Sequence, residues 1–150
     1  MTICTIGRQP LFGAIHDGNP QLTAAGQIVA EEWDALANRF RSVSLLGMVV
    51  MPNHFHGVLQ LCPKEDEEMD CSLDQVVRAF KSITTRRINL ADGQEGQTVW
   101  QRGYFDRVIR SPEELLRVLD YVEDNPRQWE WDRENPARLE RAEPDPWEER

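Results

Sequence analysis

Two apolar, strand-like segments joined by three residues constrain the fold more than any other feature. Residues 42–50 (SVSLLGMVV) and 54–61 (HFHGVLQL) are separated only by Met51-Pro52-Asn53. A connection this short predicts a β-hairpin whose register is set by the turn. The chain is therefore expected to contain an antiparallel sheet built around this hairpin.

Helix-like and strand-like segments alternate on both sides of the hairpin. Apolar residues at intervals of three and four predict helices over residues 22–40, 73–88 and 112–124, the second opened by a capping box at Ser72. Alternating patterns predict further strands over residues 2–6 and 104–109, with a turn-rich connection over 13–20. The order β-α-β-β-α-β-α predicts an α+β fold of ferredoxin-like plan, with helices on one face of the sheet and one extra C-terminal helix.

Length and composition predict one domain. The 150 residues suffice for a single core, which we assign to residues 1–126, followed by an acidic, Pro- and Trp-containing irregular tail over 127–150. No apolar run approaches the length of a membrane span, and the three cysteines have no metal-binding spacing. We expect a cytoplasmic protein with reduced thiols and no membrane partner.

Charge is distributed unevenly along the chain. The net charge of −9 argues against a nucleic-acid partner, but residues 78–112 carry seven basic and three acidic groups, a local excess of +4. Within it, Arg78, Lys81, Arg86 and Arg87 lie on one predicted helix. They could follow a DNA backbone or merely solvate the helix, and the sequence does not decide between the two.

Two histidines begin the second strand of the hairpin. Because strand side chains alternate, His54 and His56 point to one face and Phe55 to the other. The two imidazoles are about 7 Å apart along the strand, near enough to share one metal ion. Two half-buried histidines without a ligand are the alternative.

The last predicted helix carries a tyrosine and an asparagine one turn apart. Tyr121 and Asn125 flank its apolar stripe, so a phenol and an amide oxygen are presented side by side. Facing the histidine pair, they would form a site in which an ion polarises a phosphodiester and the phenol attacks it. The alternative is a packing tyrosine and a helix C-cap before Pro126.

Five sequence blocks occur in an order that resembles one family. They are MPNHFHG (51–57), VVRAFKSITTRRIN (76–89), VWQRGYFDRVIRSPEEL (99–115), YVEDNP (121–126) and WDRENP (131–136), and TICTIGRQPLFG (2–13) looks like the family's first strand. Together they resemble the REP-associated tyrosine transposases, a branch of the single-tyrosine HUH transposases in the IS200-like superfamily. The resemblance extends over residues 2–136.

The resemblance implies a fold, a reaction and a set of site residues. It implies an HUH endonuclease fold in which His54, His56 and Asn125 bind Mg²⁺ or Mn²⁺ and Tyr121 is the nucleophile. Members of the family cut and rejoin single-stranded DNA at hairpin-forming repeats through a 5′-phosphotyrosine, releasing a 3′-OH. The implied partner is single-stranded hairpin DNA in a bacterial, nucleoid-associated setting, with the protein a monomer or a homodimer.

Other aromatic residues compete for roles in such a site. Tyr104, on the predicted strand 104–109, is the rival nucleophile, although packing or base stacking suits a strand tyrosine better. Trp100, Trp129 and Trp131 could stack on bases, but core or tail packing is the expected role.

Three hypotheses follow from the sequence. The first is an active transposase or nuclease. The second is a hairpin-binding module without catalysis, because family members usually carry a basic segment before the first strand and this chain begins at that strand. The third is a metal-dependent phosphodiesterase acting on small nucleotides, a class that typically presents two histidine motifs where this chain has one.

Overall fold

The computed structural model describes residues 1–63, 65 and 68–141. Its strands are β1 (Thr2–Cys4), β2 (Gly13–His16), β3 (Asn19–Leu22), β4 (Val43–Val50) and β5 (His54–Leu61). Its α-helices are α1 (Ala24–Arg39), α2 (Leu73–Ala91), α3 (Pro112–Asp124) and α4 (Pro136–Arg141), and 3-10 helices span Ile6–Arg8 and Asn125–Trp131. The fold class is α+β, as the sequence predicts.

The histidine strand is the centre of the main sheet. β4 and β5 form the predicted hairpin, in which Val50 lies opposite Phe55. β1 pairs with the other edge of β5, with Thr2 opposite His56, so the strand order is β1-β5-β4 and every pair is antiparallel. Both edges of β5 are thereby hydrogen-bonded, which fixes the backbone that carries the two histidines.

Helices cover both faces of this sheet. On one face, the rings of Trp33 of α1, Phe55 of β5 and Phe80 of α2 pack with centroid distances of 5.1 to 6.2 Å. Gly57 allows this approach, because a Cβ there would lie 2.5 Å from the Trp33 ring. The extra helix α3 covers the other face, where Val122 joins a smaller apolar cluster with residues of β4 and β5. Strand alternation therefore directs Phe55 into the main core and the histidines toward the α3 side.

Side-chain caps define the ends of the helices as the sequence predicts. Ser72 and Gln75 form the reciprocal capping box of α2. Ser111 accepts a hydrogen bond from the Glu114 backbone N–H, and Pro112 occupies the first turn of α3. None of the helices in the described ranges has the length and apolar character of a membrane span. The three cysteines are free thiols, as expected.

The predicted strand 104–109 is wrong. Only Phe105 pairs, in an isolated antiparallel bridge with Thr2. A second isolated antiparallel bridge joins Thr5 to Trp100, and the Gln101 N–H donates to the Cys4 carbonyl oxygen at 2.8 Å. After Thr5 the chain turns through the 3-10 helix Ile6–Arg8, where Gly7 has a φ of +59°. The fourth strand of the ferredoxin-like plan is therefore reduced to two isolated bridges, at Phe105 and at Trp100.

Two segments expected to be irregular are ordered. The turn-rich connection 13–20 contributes to the β2–β3 hairpin, whose turn residues Asp17 and Gly18 both have positive φ. The segment after residue 126 continues a 3-10 helix and then forms α4, with residues 142–150 lying outside the described range. Asn53 Nδ2 donates to the Glu134 carbonyl oxygen over 2.6 Å, which ties this segment to the turn before the histidine strand.

Candidate active site

The two histidines face each other on the α3 side of the sheet. The Nε2 atoms of His54 and His56 are 3.1 Å apart, and the ring centroids are separated by 4.6 Å in an edge-to-face arrangement. His54 is completely buried, whereas His56 remains partly accessible. The separation of about 7 Å expected along the strand is thus shortened at the ring tips, because the imidazoles lean toward one another.

A hydrogen bond at each Nδ1 atom fixes the orientation of both rings. Asn53 Oδ1 accepts from His54 Nδ1 at 2.9 Å, because the Asn53 amide nitrogen is already donating to the carbonyl oxygens of Arg8 and Glu134. His54 Nε2 therefore carries a lone pair. The Thr2 hydroxyl lies 2.8 Å from His56 Nδ1 and orients the second ring in the same way. Sequence reasoning missed both residues, although Asn53 stands directly before the histidines.

Burial keeps both imidazoles neutral. It lowers the pKa of His54 to about 4 and that of His56 to about 3, the latter with a contribution from the neighbouring ring. Neutral imidazole is the form that binds metal ions. At neutral pH the site therefore presents nitrogen lone pairs, not positive charge.

Helix α3 brings Tyr121 and Asn125 to the histidine pair. The rings of Tyr121 and His56 have their centroids 5.8 Å apart, and the phenol is half exposed. Asn125, at the end of the helix, is 2 % exposed and lies close to both His54 and Tyr121. The structure thus brings together the four residues that the sequence analysis placed in one site, and burial raises the pKa of the Tyr121 phenol.

The donor set suits a hard divalent cation. Asn125 Oδ1 is buried and has no hydrogen-bond donor among the described residues. If each nitrogen lies about 2.1 Å from an ion and the angle between the two bonds is a right angle, the nitrogen atoms are about 3.0 Å apart. The two Nε2 atoms are separated by 3.1 Å, which is close to this value. No three His, Cys, Asp or Glu side chains converge as a metal site within the described ranges. The unpaired Asn125 Oδ1 is the oxygen that we consider as a third ligand beside the two imidazoles.

The segment after α3 closes the buried side of the site. The Trp129 ring lies 6.0 Å from the His54 ring, and Asp132 Oδ2 is 3.8 Å from His54 Nε2. The sequence predicts no role for Asp132, although this residue lies within the block WDRENP that contributes to the family resemblance. The predicted boundary at residue 126 therefore falls within the structural surroundings of the site.

Tyr104 lies elsewhere in the fold. Its hydroxyl donates to the Asp74 carboxylate, a hydrogen bond that raises the pKa of the phenol to about 12. Its ring packs against the main core, on the side of the sheet opposite the histidines. Of the two tyrosines in the chain, Tyr121 is thus the one that lies beside the histidine pair.

The four basic residues of α2 have different surroundings. Arg87 donates to Glu31 and Glu32 over 2.6 and 2.7 Å. Lys81 donates to the carbonyl oxygens of Gln101 and Gly103. Arg78 and Arg86 are exposed. DNA contact by these residues stays a prediction, and two of them already have protein partners.

An open cleft of about 470 Å³ gives access to the site. Tyr121, His56 and Asn125 line it together with Thr2, Phe105, Gln128, Trp131, Asp132, Arg133, Glu134 and Arg138. Trp100 is buried in the core, as expected, and Trp129 covers His54. Trp131, for which packing was expected, is instead 75 % exposed at this cleft.

Most of the chain matches the model of one protein family. The model of a family described as "Transposase IS200 like" matches residues 27–125. An uncharacterized protein of Haemophilus influenzae is 28 % identical over 148 residues, covering 88 % of this chain and 81 % of that protein.

Two solved structures have a similar fold. A REP-associated tyrosine transposase bound to a REP hairpin superposes with a TM-score of 0.60 at 20 % identity, over 87 % of this chain and 67 % of the other. A candidate transposase from Deinococcus radiodurans gives a TM-score of 0.52 at 17 % identity, over 82 % and 85 %. At these identities the likeness concerns the fold.

Proposed function

The chain belongs to the family of IS200-like transposases, and on that premise we propose that it nicks and rejoins single-stranded DNA beside hairpins, with Tyr121 as the nucleophile. The observation that carries the proposal is that a half-exposed phenol, the neutral imidazole of His56 and an unpaired amide oxygen line one cleft, with the neutral imidazole of His54 buried 3.1 Å behind His56. These are the groups that attack on a phosphodiester requires.

The reaction exchanges one phosphodiester for another. Tyr121 Oη attacks the scissile phosphorus and loses its proton, while the bond from phosphorus to the 3′ oxygen breaks and that oxygen takes up a proton. The products are a 5′-phosphotyrosine and a free 3′-OH. Rejoining is the reverse attack, by a 3′-OH on the phosphotyrosine, so the chain of the DNA is restored without an external energy source.

We assign His54, His56 and Asn125 to binding of Mg²⁺ or Mn²⁺. When bound, such an ion would polarise the phosphodiester and favour the phenolate of Tyr121. Thr2 and Asn53 orient the two imidazole rings by hydrogen bonds to their Nδ1 atoms, and Trp129 covers the buried ring of His54. The unpaired Asn125 Oδ1 supports this assignment, because a buried acceptor without a donor costs about 1–3 kcal/mol unless a ligand satisfies it.

A hairpin-bearing single strand is the proposed substrate. The similar solved transposase is bound to a REP hairpin, and the cleft beside Tyr121 is open to solvent. An enzyme acting on chromosomal repeats would work at the nucleoid. The oligomeric state, monomer or homodimer, stays a prediction.

The experiment exploits the presence of only two tyrosines in the chain. Purified protein is incubated with Mn²⁺ or Mg²⁺ and a labelled single-stranded hairpin from repeats beside its gene, then run on a denaturing gel. Wild type is compared with Tyr121→Phe and with the matched control Tyr104→Phe. We expect an SDS-resistant protein–DNA adduct that is absent with EDTA and lost only in Tyr121→Phe.

Other results would point elsewhere. An adduct lost only in Tyr104→Phe would assign the nucleophile to the other tyrosine. Hairpin binding in a gel-shift assay without any adduct would reduce the protein to a binding module. Adduct formation that persists in Asn125→Ala at unchanged metal concentration would remove the amide from the proposed ligand set.

A further inference from the structure

Two large aromatic side chains stand exposed at the cleft that holds Tyr121. Phe105 is 70 % exposed and Trp131 is 75 % exposed, and both line the cleft with His56 and Tyr121. Burying such side chains would normally contribute 1.5 kcal/mol or more each, by a rough area estimate. Their exposure beside Tyr121 therefore indicates a ligand with apolar, planar faces that would cover the two rings.

The register of the sheet sets the position of Phe105. Its backbone N–H donates to the Thr2 carbonyl oxygen at 2.9 Å, and its own carbonyl oxygen accepts from the Thr2 N–H at 2.7 Å. Thr2 in turn lies opposite His56. Directly opposite residues in an antiparallel pair project to the same face, so Phe105 shares a row and a face with His56.

The segment after α3 positions Trp131. It is the last residue of the 3-10 helix Asn125–Trp131, and its carbonyl oxygen accepts a hydrogen bond of 2.6 Å from Arg138 Nη1. Arg133 and Arg138 line the same cleft as guanidinium groups, together with the carboxylates Asp132 and Glu134, of which Glu134 is paired with Arg8. A planar apolar surface next to a guanidinium suits a nucleotide, whose base is planar and whose phosphate is anionic.

We infer that Phe105 and Trp131 each stack on one unpaired base next to the scissile phosphate, and that this stacking selects single-stranded DNA at the site. The inference rests on the proposed function, since it takes the DNA strand at Tyr121 as the occupant of the cleft. In a duplex, paired and stacked bases offer no free face to either ring. Every unpaired base has such a face, so the rings of Phe105 and Trp131 distinguish single-stranded from double-stranded DNA but do not distinguish between sequences.

Binding is tested first, with a fluorescent oligothymidylate in EDTA so that no reaction occurs. Phe105→Leu and Trp131→Leu remove the aromatic ring but keep an apolar side chain, while Phe105→Tyr and Trp131→Phe keep a ring. We expect each leucine variant to weaken binding about 5- to 150-fold and each aromatic variant to stay near wild type. Leu90→Ala is the control, because Leu90 is 83 % exposed on α2 outside the cleft.

A spectroscopic readout separates stacking from a structural role. Stacking of a base on Trp131 quenches its emission, so oligothymidylate should quench wild-type fluorescence, and Trp131→Phe should abolish that part of the quenching while retaining affinity. Leucine variants that bind as tightly as wild type, or quenching unchanged in Trp131→Phe, would overturn the inference. So would wild type that binds duplex as tightly as single strand, or that binds no single strand at all.

Failure of stacking and failure of the proposed chemistry give different results. If wild type forms the covalent adduct and both leucine variants form it at the same rate, the stacking inference fails while the nuclease proposal stands. If no adduct forms in wild type but single-strand binding still depends on the two rings, the nuclease proposal fails and stacking stands.

Discussion

Thr2 and Asn53 illustrate how residues without reactive groups control the site at the scale of single side chains. Each binds the Nδ1 atom of one histidine, so that both Nε2 atoms point at the same small volume. Partners of this kind set the tautomer and the orientation of metal-binding imidazoles. The two bonds differ in one respect, since Asn53 also holds two backbone carbonyl oxygens, whereas Thr2 is bonded through its side chain to His56 alone among the described residues.

Thr2→Val should therefore weaken the proposed metal site without unfolding the protein. Valine has the shape of threonine but cannot hydrogen-bond to His56 Nδ1. We expect the Mn²⁺ concentration for half-maximal adduct formation to rise about 10- to 100-fold, while Thr2→Ser retains the wild-type value. The measurement is a Mn²⁺ titration of adduct formation with thermal unfolding in parallel, and equal Mn²⁺ requirements in both variants would contradict the assigned role of Thr2.

Arg87 is expected to affect stability and not DNA binding. Its guanidinium donates to Glu31 and to Glu32, whose side chain is 7 % exposed, so removing it leaves a nearly buried carboxylate with Arg39 as its remaining cation. Arg87→Ala should lower the free energy of unfolding by about 1–3 kcal/mol. The matched control, Arg86→Ala, alters an exposed residue of the same helix and should change it by less than about 0.5 kcal/mol.

Urea unfolding and hairpin binding are measured on both variants. Weaker DNA binding by folded Arg87→Ala, with no loss of stability, would show that this residue contacts DNA after all. The comparison thus separates the two roles that the sequence left open for the basic residues of α2.

At the scale of elements, α3 determines the position of Tyr121, the proposed nucleophile. One end begins at the Ser111 cap with Pro112 in the first turn, and the other ends at Asn125 against the histidines. Val122 is its one fully buried residue, so the helix is held to the sheet mainly by partly buried side chains such as Leu115, Val118 and Leu119. Its position depends on the caps and on a modest apolar contact.

Ser111→Ala should destabilise the protein by about 1 kcal/mol, because the Glu114 N–H loses its acceptor. Ser111→Asp should retain most of the stability, since a carboxylate caps equally well. Both variants should form the adduct at wild-type rates well below the melting temperature. Chemical denaturation and adduct kinetics are the measurements, and a slower reaction in Ser111→Ala with unchanged stability would show that the cap acts on the position of Tyr121.

The elements that could be predicted are those with local signals. The capping box at Ser72, the Ser111-Pro112 helix start and the short turn before His54 are each encoded within a few residues, and all three are confirmed. The alternation around Phe55 also sufficed to place both histidines on one face. Tyr121 and Asn125 could be placed on one flank of a helix for the same reason.

The remaining elements depend on distant parts of the chain. Whether residues 104–109 form a strand depends on pairing with β1, about a hundred residues earlier, and within 104–109 only Phe105 has a partner there. Asp132 and Trp129 could not be placed because their contacts with His54 bridge more than seventy positions. No periodicity or turn signal encodes such pairings.

At the scale of the whole molecule, the net charge of −9 opposes binding of a polyanion, while the cationic groups nearest the proposed DNA path are few. Arg133 and Arg138 line the cleft, whereas Arg78 and Arg86 are exposed on α2, which packs on the opposite face of the sheet. On the proposed function, a molecule of this kind would bind DNA through a few phosphate contacts supplemented by stacking. Its affinity for DNA should therefore decrease less with salt concentration than the affinity of a basic DNA-binding protein does.

The salt dependence of single-strand binding tests this directly. With about four phosphates neutralised, the slope of log K against log salt concentration should be about −3 or shallower. The measurement is oligothymidylate affinity over a range of NaCl concentrations in EDTA. A slope of about −6 or steeper would require many more cationic contacts than these four and would place the DNA along a different surface.

The hydrogen bond between Asn53 and Glu134 spans 81 positions of the chain, and this has a consequence for the newly synthesised protein. At a synthesis rate of about 5–20 residues per second, the histidine pair emerges about 4–16 s before the residues that cover it. For most of that interval β4 and β5 can already pair, while Tyr121 and Asn125 have not yet been made. The order of translation thus withholds the proposed nicking activity from a chain that has not reached residue 121, because the proposed nucleophile and the groups that enclose the site are made well after the histidines.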